Sequence, residues 1–200
     1  MEGLMDQYIA DQLSSSRLLI EKIVNSKTLL ETIKISALAC IDALKKGKNF
    51  FLAGNGGSAE NAQHIAGEFV SRFNFDRPAL SAIALTTDTS ILTAIGNDYG
   101  YENVFALQIQ ALGQEGDIFI ASSTSGKSKN ILIALNEAKS QGLISIGMTG
   151  NQKGAFIDIC DYPIEIPSNE TPHIQEGHLI FGHIICGLIE QAIFKDCKYA

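Results

Sequence analysis

No run of basic residues interrupts this sequence. Its lysines and arginines stand singly or in short pairs such as Lys45-Lys46, and the formal net charge is −7. That excludes nucleic acid as the main partner, because a phosphate backbone demands clustered positive charge. There is no C-x-x-C pair, and the four cysteines, Cys40, Cys160, Cys186 and Cys197, are too scattered for a zinc ribbon or a disulfide framework. They are expected as reduced thiols, mostly in the core. The opening residues, Met1-Glu2-Gly3-Leu4-Met5-Asp6, are acidic where a secretory leader is basic, and no apolar h-region follows, so the expectation is a cytoplasmic protein. The most apolar stretch, Leu179 to Ile189, is broken by Gly182, His183 and Gly187 and is too short to cross a bilayer. It is expected as a buried helix, with no membrane partner. Repeats, low-complexity tracts and linkers are absent as well. What is present is a chain of 200 residues that are 46% hydrophobic, enough for one domain with a substantial core.

From Leu4 to about Lys46 apolar residues recur at helical spacing, as in Leu19, Ile20, Ile23 and then Leu29, Ile33, with no proline. Two helices are predicted, broken near Asn25-Ser26. Such an arm packs either on a partner subunit or on the sheet of its own chain. After Gly47 the pattern changes to short apolar runs, Phe50–Ala53, Ala82–Leu85, Ile118–Ala121, Ile144–Met148 and Tyr162–Ile166, alternating with helical stretches near 59–73, 104–112, 130–140 and 174–194. This alternation predicts βαβ units, hence an α/β fold with a five-stranded parallel sheet flanked by helices. Ligands of such sheets bind at the carboxyl ends of the strands.

The loop after the first strand, Gly54-Asn55-Gly56-Gly57-Ser58, opens a helix, so its small residues let backbone N–H groups approach an anion. Gly54, Gly56 and Ala59 also satisfy the dinucleotide pattern, but the acidic partner that should end the next strand is missing, with Asp88 arriving late. The third strand runs into Ser122-Ser123-Thr124-Ser125-Gly126-Lys127-Ser128, a group of hydroxyls at a helix start that suits a phosphate monoester. Ala121 stands where a Walker A loop needs glycine, which excludes that motif. Capping by one serine would account for only one of these hydroxyls. Thr86-Thr87-Asp88-Thr89-Ser90 is expected to cap a short helix before Gly96-Asn97-Asp98-Tyr99-Gly100, where Asn97 and Asp98 fit either a polyol or a turn.

Two segments carry candidates for proton transfer. His64 and Glu68, four apart, stand about 40° apart on one helical face. Alone they describe a surface contact; rising from the glycine-rich loop, they face its cleft. The last helix offers Gln175, Glu176, His178 and His183. His178 and His183 are separated by about 140° and cannot serve one site together, and periodicity does not choose between them.

Taken together, Gly54-Asn55-Gly56-Gly57-Ser58-Ala59, Gln63-His64, Ala84-Leu85-Thr86-Thr87-Asp88-Thr89, Ala94-Ile95-Gly96-Asn97-Asp98-Tyr99-Gly100-Tyr101, Ser123-Thr124-Ser125-Gly126 and Ile174-Gln175-Glu176 resemble the phosphoheptose isomerases of the sugar isomerase (SIS) domain superfamily. The resemblance runs from about residue 50 to 190 and is most specific over Leu85 to Tyr101. It implies one SIS domain over residues 1–200, with N-terminal helices over 1–46 and the sheet domain over 47–200. It also implies a homotetramer with active sites at subunit interfaces. The implied reaction converts sedoheptulose 7-phosphate to D-glycero-D-manno-heptose 7-phosphate through an enediolate, for bacterial lipopolysaccharide or capsule heptose. By position, Ser123, Thr124, Ser125 and Ser128 would hold the phosphate. Asn55, Gly56, Gly57, Glu68, Asn97, Asp98 and Gln175 would contact the sugar. Glu68 and His183 match the acid–base pair, and His64, Glu68, Gln175 and His183 match the ligands of one zinc per subunit. The resemblance thus selects His183 over His178.

The chain departs from the family's usual residues at Glu60-Asn61, at Leu107, where arginine is usual, and at Asn169-Glu170-Thr171-Pro172-His173, where Asp-Asn-Thr-Ala-Arg is common. Two other readings compete with an isomerase: a non-catalytic SIS-domain scaffold that binds the bacterial replication initiator, and a nicotinamide-dependent oxidoreductase.

Overall fold

A computed structural model of the chain describes residues 1–151 and 154–195. Cys197, expected as a reduced thiol, lies outside the described residues. Two helices lead, α1 (Glu2–Asn25) and α2 (Lys27–Lys45). The break falls where the sequence predicts it. Ser26 adopts an extended conformation and its side chain accepts from the Leu29 N–H, starting α2.

Then follow β1 (Phe50–Ala53), α3 (Gly57–Val70), β2 (Ala82–Ala84), α4 (Thr89–Asp98), a 3-10 turn (Tyr101–Asn103), α5 (Ala106–Leu112), β3 (Ile118–Ser123), α6 (Lys129–Ser140), β4 (Ile144–Thr149), α7 (Ala155–Ile159), β5 (Tyr162–Glu165) and α8 (Thr171–Phe194). The five strands form one parallel sheet in the order β2-β1-β3-β4-β5.

Strand side chains alternate between faces, and both faces are covered. Phe50, Leu52, Ile118, Ile120, Ile146 and Met148 join a core built with α1, α2, α3 and α8. Phe51, Ala53, Phe119 and Ala121 join a second core with α5, α6 and α7. The arm therefore covers its own sheet through Leu19, Ile23, Leu29 and Ile33.

From β1 the chain moves outward to β2, then crosses back to β3 on the other side. The segments leaving β1 and β3 pass to opposite faces, α3 into one core and α6 into the other. A crevice opens at the carboxyl ends of these two strands, at the reversal point of the sheet.

Three details differ from the sequence reading. Helix α4 runs through Gly96-Asn97-Asp98, so these residues form its last turn and do not follow it. The short α7 and the 3-10 turn carry too few residues to show a period. Helix α8 begins at Thr171, with Pro172 in its first turn where a missing N–H costs nothing. At 24 residues it is long and apolar enough to cross a membrane by length and composition, unlike the shorter run read from sequence. Here it packs against α2 and α3 and buries His173, His178 and Glu190 on its inward side.

Candidate active site

The loop after β1 is shaped by its glycines. A Cβ on Gly54 would fall 2.4 Å from the Ser58 carbonyl oxygen, and Gly56 has φ +56°, a conformation that costs other residues strain. The chain can thus turn at once into α3, whose positive end lies at this loop while its Ser58, Ala59 and Glu60 N–H groups bond back to the Asn55 and Gly56 carbonyls. Asn55 is held from two sides. It exchanges amide hydrogen bonds with Asn130 of α6 at 3.0 and 2.9 Å, and the Tyr101 hydroxyl donates to its Oδ1 at 3.1 Å. One Nδ2 hydrogen of Asn55 is left over for a ligand.

The loop after β3 lies beside it. Gly126 has φ +62° and its N–H returns to the Ser123 carbonyl at 3.0 Å, which curls the segment into a tight cup. Ser123 and Ser128 share a hydrogen bond at 2.9 Å, and Ser125 Oγ accepts from the Lys127 N–H at 3.2 Å. Ser128 occupies the N-cap position of α6, yet its side chain makes no capping bond. The Ser123 and Ser128 hydroxyls meet at the cup in place of satisfying the helix end, where a phosphate would find them together with the helix dipole.

A second cluster forms where α3 meets α8. Gly182 permits the contact, since a Cβ there would lie 2.5 Å from Ile65 Cδ1. His64 Nε2 and His183 Nε2 are 2.8 Å apart, and Glu68 Oε1 lies 3.4 Å from His64 Nε2. Phe73 stacks on the His183 ring, centroids 5.3 Å apart. In a neutral pair one imidazole carries its proton on Nε2 and donates to the other, which is a ready path for a proton. The ligand atoms of His64, Glu68 and His183 all lie within 4.8 Å of one another. Two histidines and a carboxylate are an ordinary zinc set. Zinc–nitrogen bonds of about 2.0–2.1 Å at tetrahedral angles put two such nitrogens about 3.3 Å apart, so a shift of about half an ångström fits them to an ion.

Gln175 lies near the start of α8. Its eight-residue separation from His183 corresponds to about 12 Å along α8. A Cβ on Gly57 would come within 2.6 Å of its Nε2, so the Gln175 amide borders the glycine-rich loop. Asn97 and Asp98 are exposed and bond to each other at 2.7 Å. His178 faces the core. Neither ring nitrogen has a hydrogen-bond partner among the described residues, and burial pushes its pKa down to about 4, the Thr149 backbone opposing only in part. Of the two histidines that periodicity left open, His183 is the one beside His64 and Glu68. Sequence reasoning missed Asn130, whose pairing with Asn55 crosses between two loops, and Phe73, which lies past the end of α3. No local spacing signals either.

Residues 13–150 match the SIS domain family. The chain is 56% identical over 97% of its length to the phosphoheptose isomerase of Burkholderia pseudomallei (strain K96243), covering 98% of that protein. It is 57% identical over 99% of its length to phosphoheptose isomerase 2 of Campylobacter jejuni subsp. jejuni serotype O:2, covering 100% of it. The solved phosphoheptose isomerase structure from Neisseria gonorrhoeae superposes with a TM-score of 0.87 at 35% identity, over 94% of this chain and 99% of that one. This chain belongs to the SIS-domain phosphoheptose isomerase family.

Membership accounts for features that the competing readings do not. Asp88, the acid a dinucleotide site would need, caps α4 by accepting from the Ile91 N–H at 2.9 Å. A scaffold has no use for the His64, Glu68 and His183 cluster. At the departures from the family's usual residues, His173 is buried between Ser16 of α1 at 3.5 Å and Glu176 at 3.1 Å. There it ties the arm to the start of α8, while Leu107 packs half-buried in α5.

Proposed function

We propose that the chain is a ketose–aldose isomerase that converts sedoheptulose 7-phosphate to D-glycero-D-manno-heptose 7-phosphate for bacterial heptose synthesis. The observation that carries this reading is the convergence of Glu68 and His183, from different helices, within 4.8 Å.

Moving a carbonyl to the neighbouring carbon removes a carbon-bound proton, passes through an enediolate, and returns the proton one carbon away. Glu68 takes and returns that proton. His183 moves the second proton between the two oxygens, with His64 able to relay it through the 2.8 Å contact. Each positioned group contributes about 10²–10⁴-fold, so electrostatic stabilisation of the enediolate must supply much of the rest. One zinc per subunit fits His64, Glu68 and His183, with Gln175 as a further, weaker donor; when bound it would polarise the carbonyl as a Lewis acid. The Ser123, Thr124, Ser125 and Ser128 cup takes the phosphate. Asn55, Gly56, Gly57, Gln175, Asn97 and Asp98 take the sugar.

A homotetramer with sites at subunit boundaries belongs to the same proposal. It is supported by the exposed apolar residues of α1, among them Leu4, Tyr8, Ile9 and Leu13. The free buried thiols Cys40, Cys160 and Cys186 fit a reducing cytoplasm.

Incubation of the purified protein with sedoheptulose 7-phosphate tests the reading, with appearance of the aldose phosphate as readout. Glu68→Gln should lower turnover at least 10²-fold, about the contribution of one acid–base group, at unchanged thermal midpoint. A chelator-treated sample in the same assay should lose turnover. Wild-type protein that yields no aldose, or Glu68→Gln protein as fast as wild type, overturns the assignment.

A further inference from the structure

We infer that the buried ion pair of Arg77 and Glu190, acting through Phe73, is a positioning device that holds Glu68 and His183 in register. The inference rests on the reading of these two residues as the acid–base pair. Both side chains of the ion pair are 1% exposed, and Arg77 Nε donates to Glu190 Oε1 at 2.9 Å. What each partner does with its remaining capacity points at the site.

Glu68 lies in the last turn of α3, where backbone carbonyls run out of intrahelical partners. Arg77 supplies them. Its Nη2 donates to the Glu68 carbonyl at 2.6 Å, and its Nη1 donates to the Phe69, Ser71 and Pro78 carbonyls at 2.7, 3.1 and 3.1 Å. The guanidinium also lies over the Phe194 ring, 5.8 Å from its centroid. A cation at a helix carboxyl end is favoured by the dipole, so Arg77 fixes the turn that bears Glu68.

Glu190 works on the other member. It stands seven residues after His183, which returns it to within about 20° of the same stripe of α8. Its two oxygens accept from the Phe73 and Asn74 N–H groups, each at 2.8 Å. That pins the chain leaving α3 against α8 and sets the Phe73 ring flat on His183, 23° from parallel. One carboxylate therefore ties the base-bearing turn, through Arg77, to the imidazole, through Phe73. A pair serving stability alone would have no need to reach the Glu68 carbonyl and the residue stacked on His183 at once.

The test uses Phe73→Leu, Phe73→Tyr and Glu190→Gln in the full chain. Phe73 is only half-buried, so Phe73→Leu should fold with an unchanged thermal midpoint. It should lower kcat about tenfold, because misplacement of a reacting group by about 1 Å costs up to 10²-fold, while KM for sedoheptulose 7-phosphate stays within about twofold. Phe73→Tyr, which keeps the ring, should restore kcat. Glu190→Gln, where it folds, should lower kcat further. In histidine-edited NMR spectra the His183 ring protons should lose their aromatic ring-current shift in Phe73→Leu and regain it in Phe73→Tyr. That readout holds even if the wild type proves not to isomerise this sugar, which keeps failure of the two proposals apart. Folded Phe73→Leu protein with wild-type kcat, or an unaltered His183 signal, overturns the inference.

Discussion

Histidines of one helix do opposite things here because their surroundings differ. His183 lies half-buried beside His64 and Glu68, while His178, five residues earlier, is 1% exposed and has no hydrogen-bond partner among the described residues. Desolvation disfavours the imidazolium form of His178 and holds its pKa near 4 against an ordinary 6.5. Between those values the unfolded chain binds a proton that the folded chain refuses. Stability therefore falls as pH drops through this window, by about 1.4 kcal/mol per unit, and the contribution is absent above pH 7. His178→Met removes the linkage. In urea titrations at pH 7.5 and pH 5, the stability of wild type relative to the variant should worsen by about 2 kcal/mol at the lower pH. An equal difference at both pH values would mean that His178 is protonated in the native state.

At the scale of elements, α3 and α8 make the site by approaching closely. The permission comes from Gly182, whose hypothetical Cβ would lie 2.5 Å from Ile65 Cδ1 and 2.7 Å from its Cγ1. Gly182→Ala must push the helices apart or force Ile65 from its rotamer, at a cost of about 1–3 kcal/mol. The separation acts on the His64–His183 distance, so kcat should fall more than the stability loss explains at a temperature where the variant is fully folded. Ile65→Val in the Gly182→Ala background returns space and should recover part of both. Much of this architecture was legible beforehand. The runs at 50–53 and 118–121 are apolar on both faces, as buried parallel strands are, and Ser26 announces the helix break. The pair His64 and Glu68 follows from helical spacing alone. The partner helix did not follow from spacing, because meeting across α3 and α8 depends on a glycine whose use appears only when Ile65 faces it. Gln175 stands about two turns before His183 on the same helix, and the resemblance, not spacing, groups the two as ligands of one ion.

For the whole molecule, the unresolved demand is the outer face of α1. Its inner stripe, Leu19 and Ile23, is buried in the core, yet Ile9, Leu13, Ile20 and Val24 recur at helical spacing on another side, 55%, 69%, 47% and 62% exposed. A helix of 24 residues is about 36 Å long, and an apolar stripe of that length in water favours association. The proposed homotetramer places its active sites at subunit boundaries, and the exposed stripe of α1 is a surface that such an assembly would cover. Assembly and turnover should consequently be coupled. Placing charge on the stripe, as in Leu13→Glu with Val24→Glu, leaves the buried residues of α1 untouched. If the proposed homotetramer forms through this stripe, the variant should keep its helical circular dichroism, run as smaller species than wild type in light scattering, and lose isomerase turnover in proportion to the assembly lost. A dissociated variant that keeps full turnover would place the complete active site inside a single chain, and a variant that stays assembled would move the subunit interface to another face.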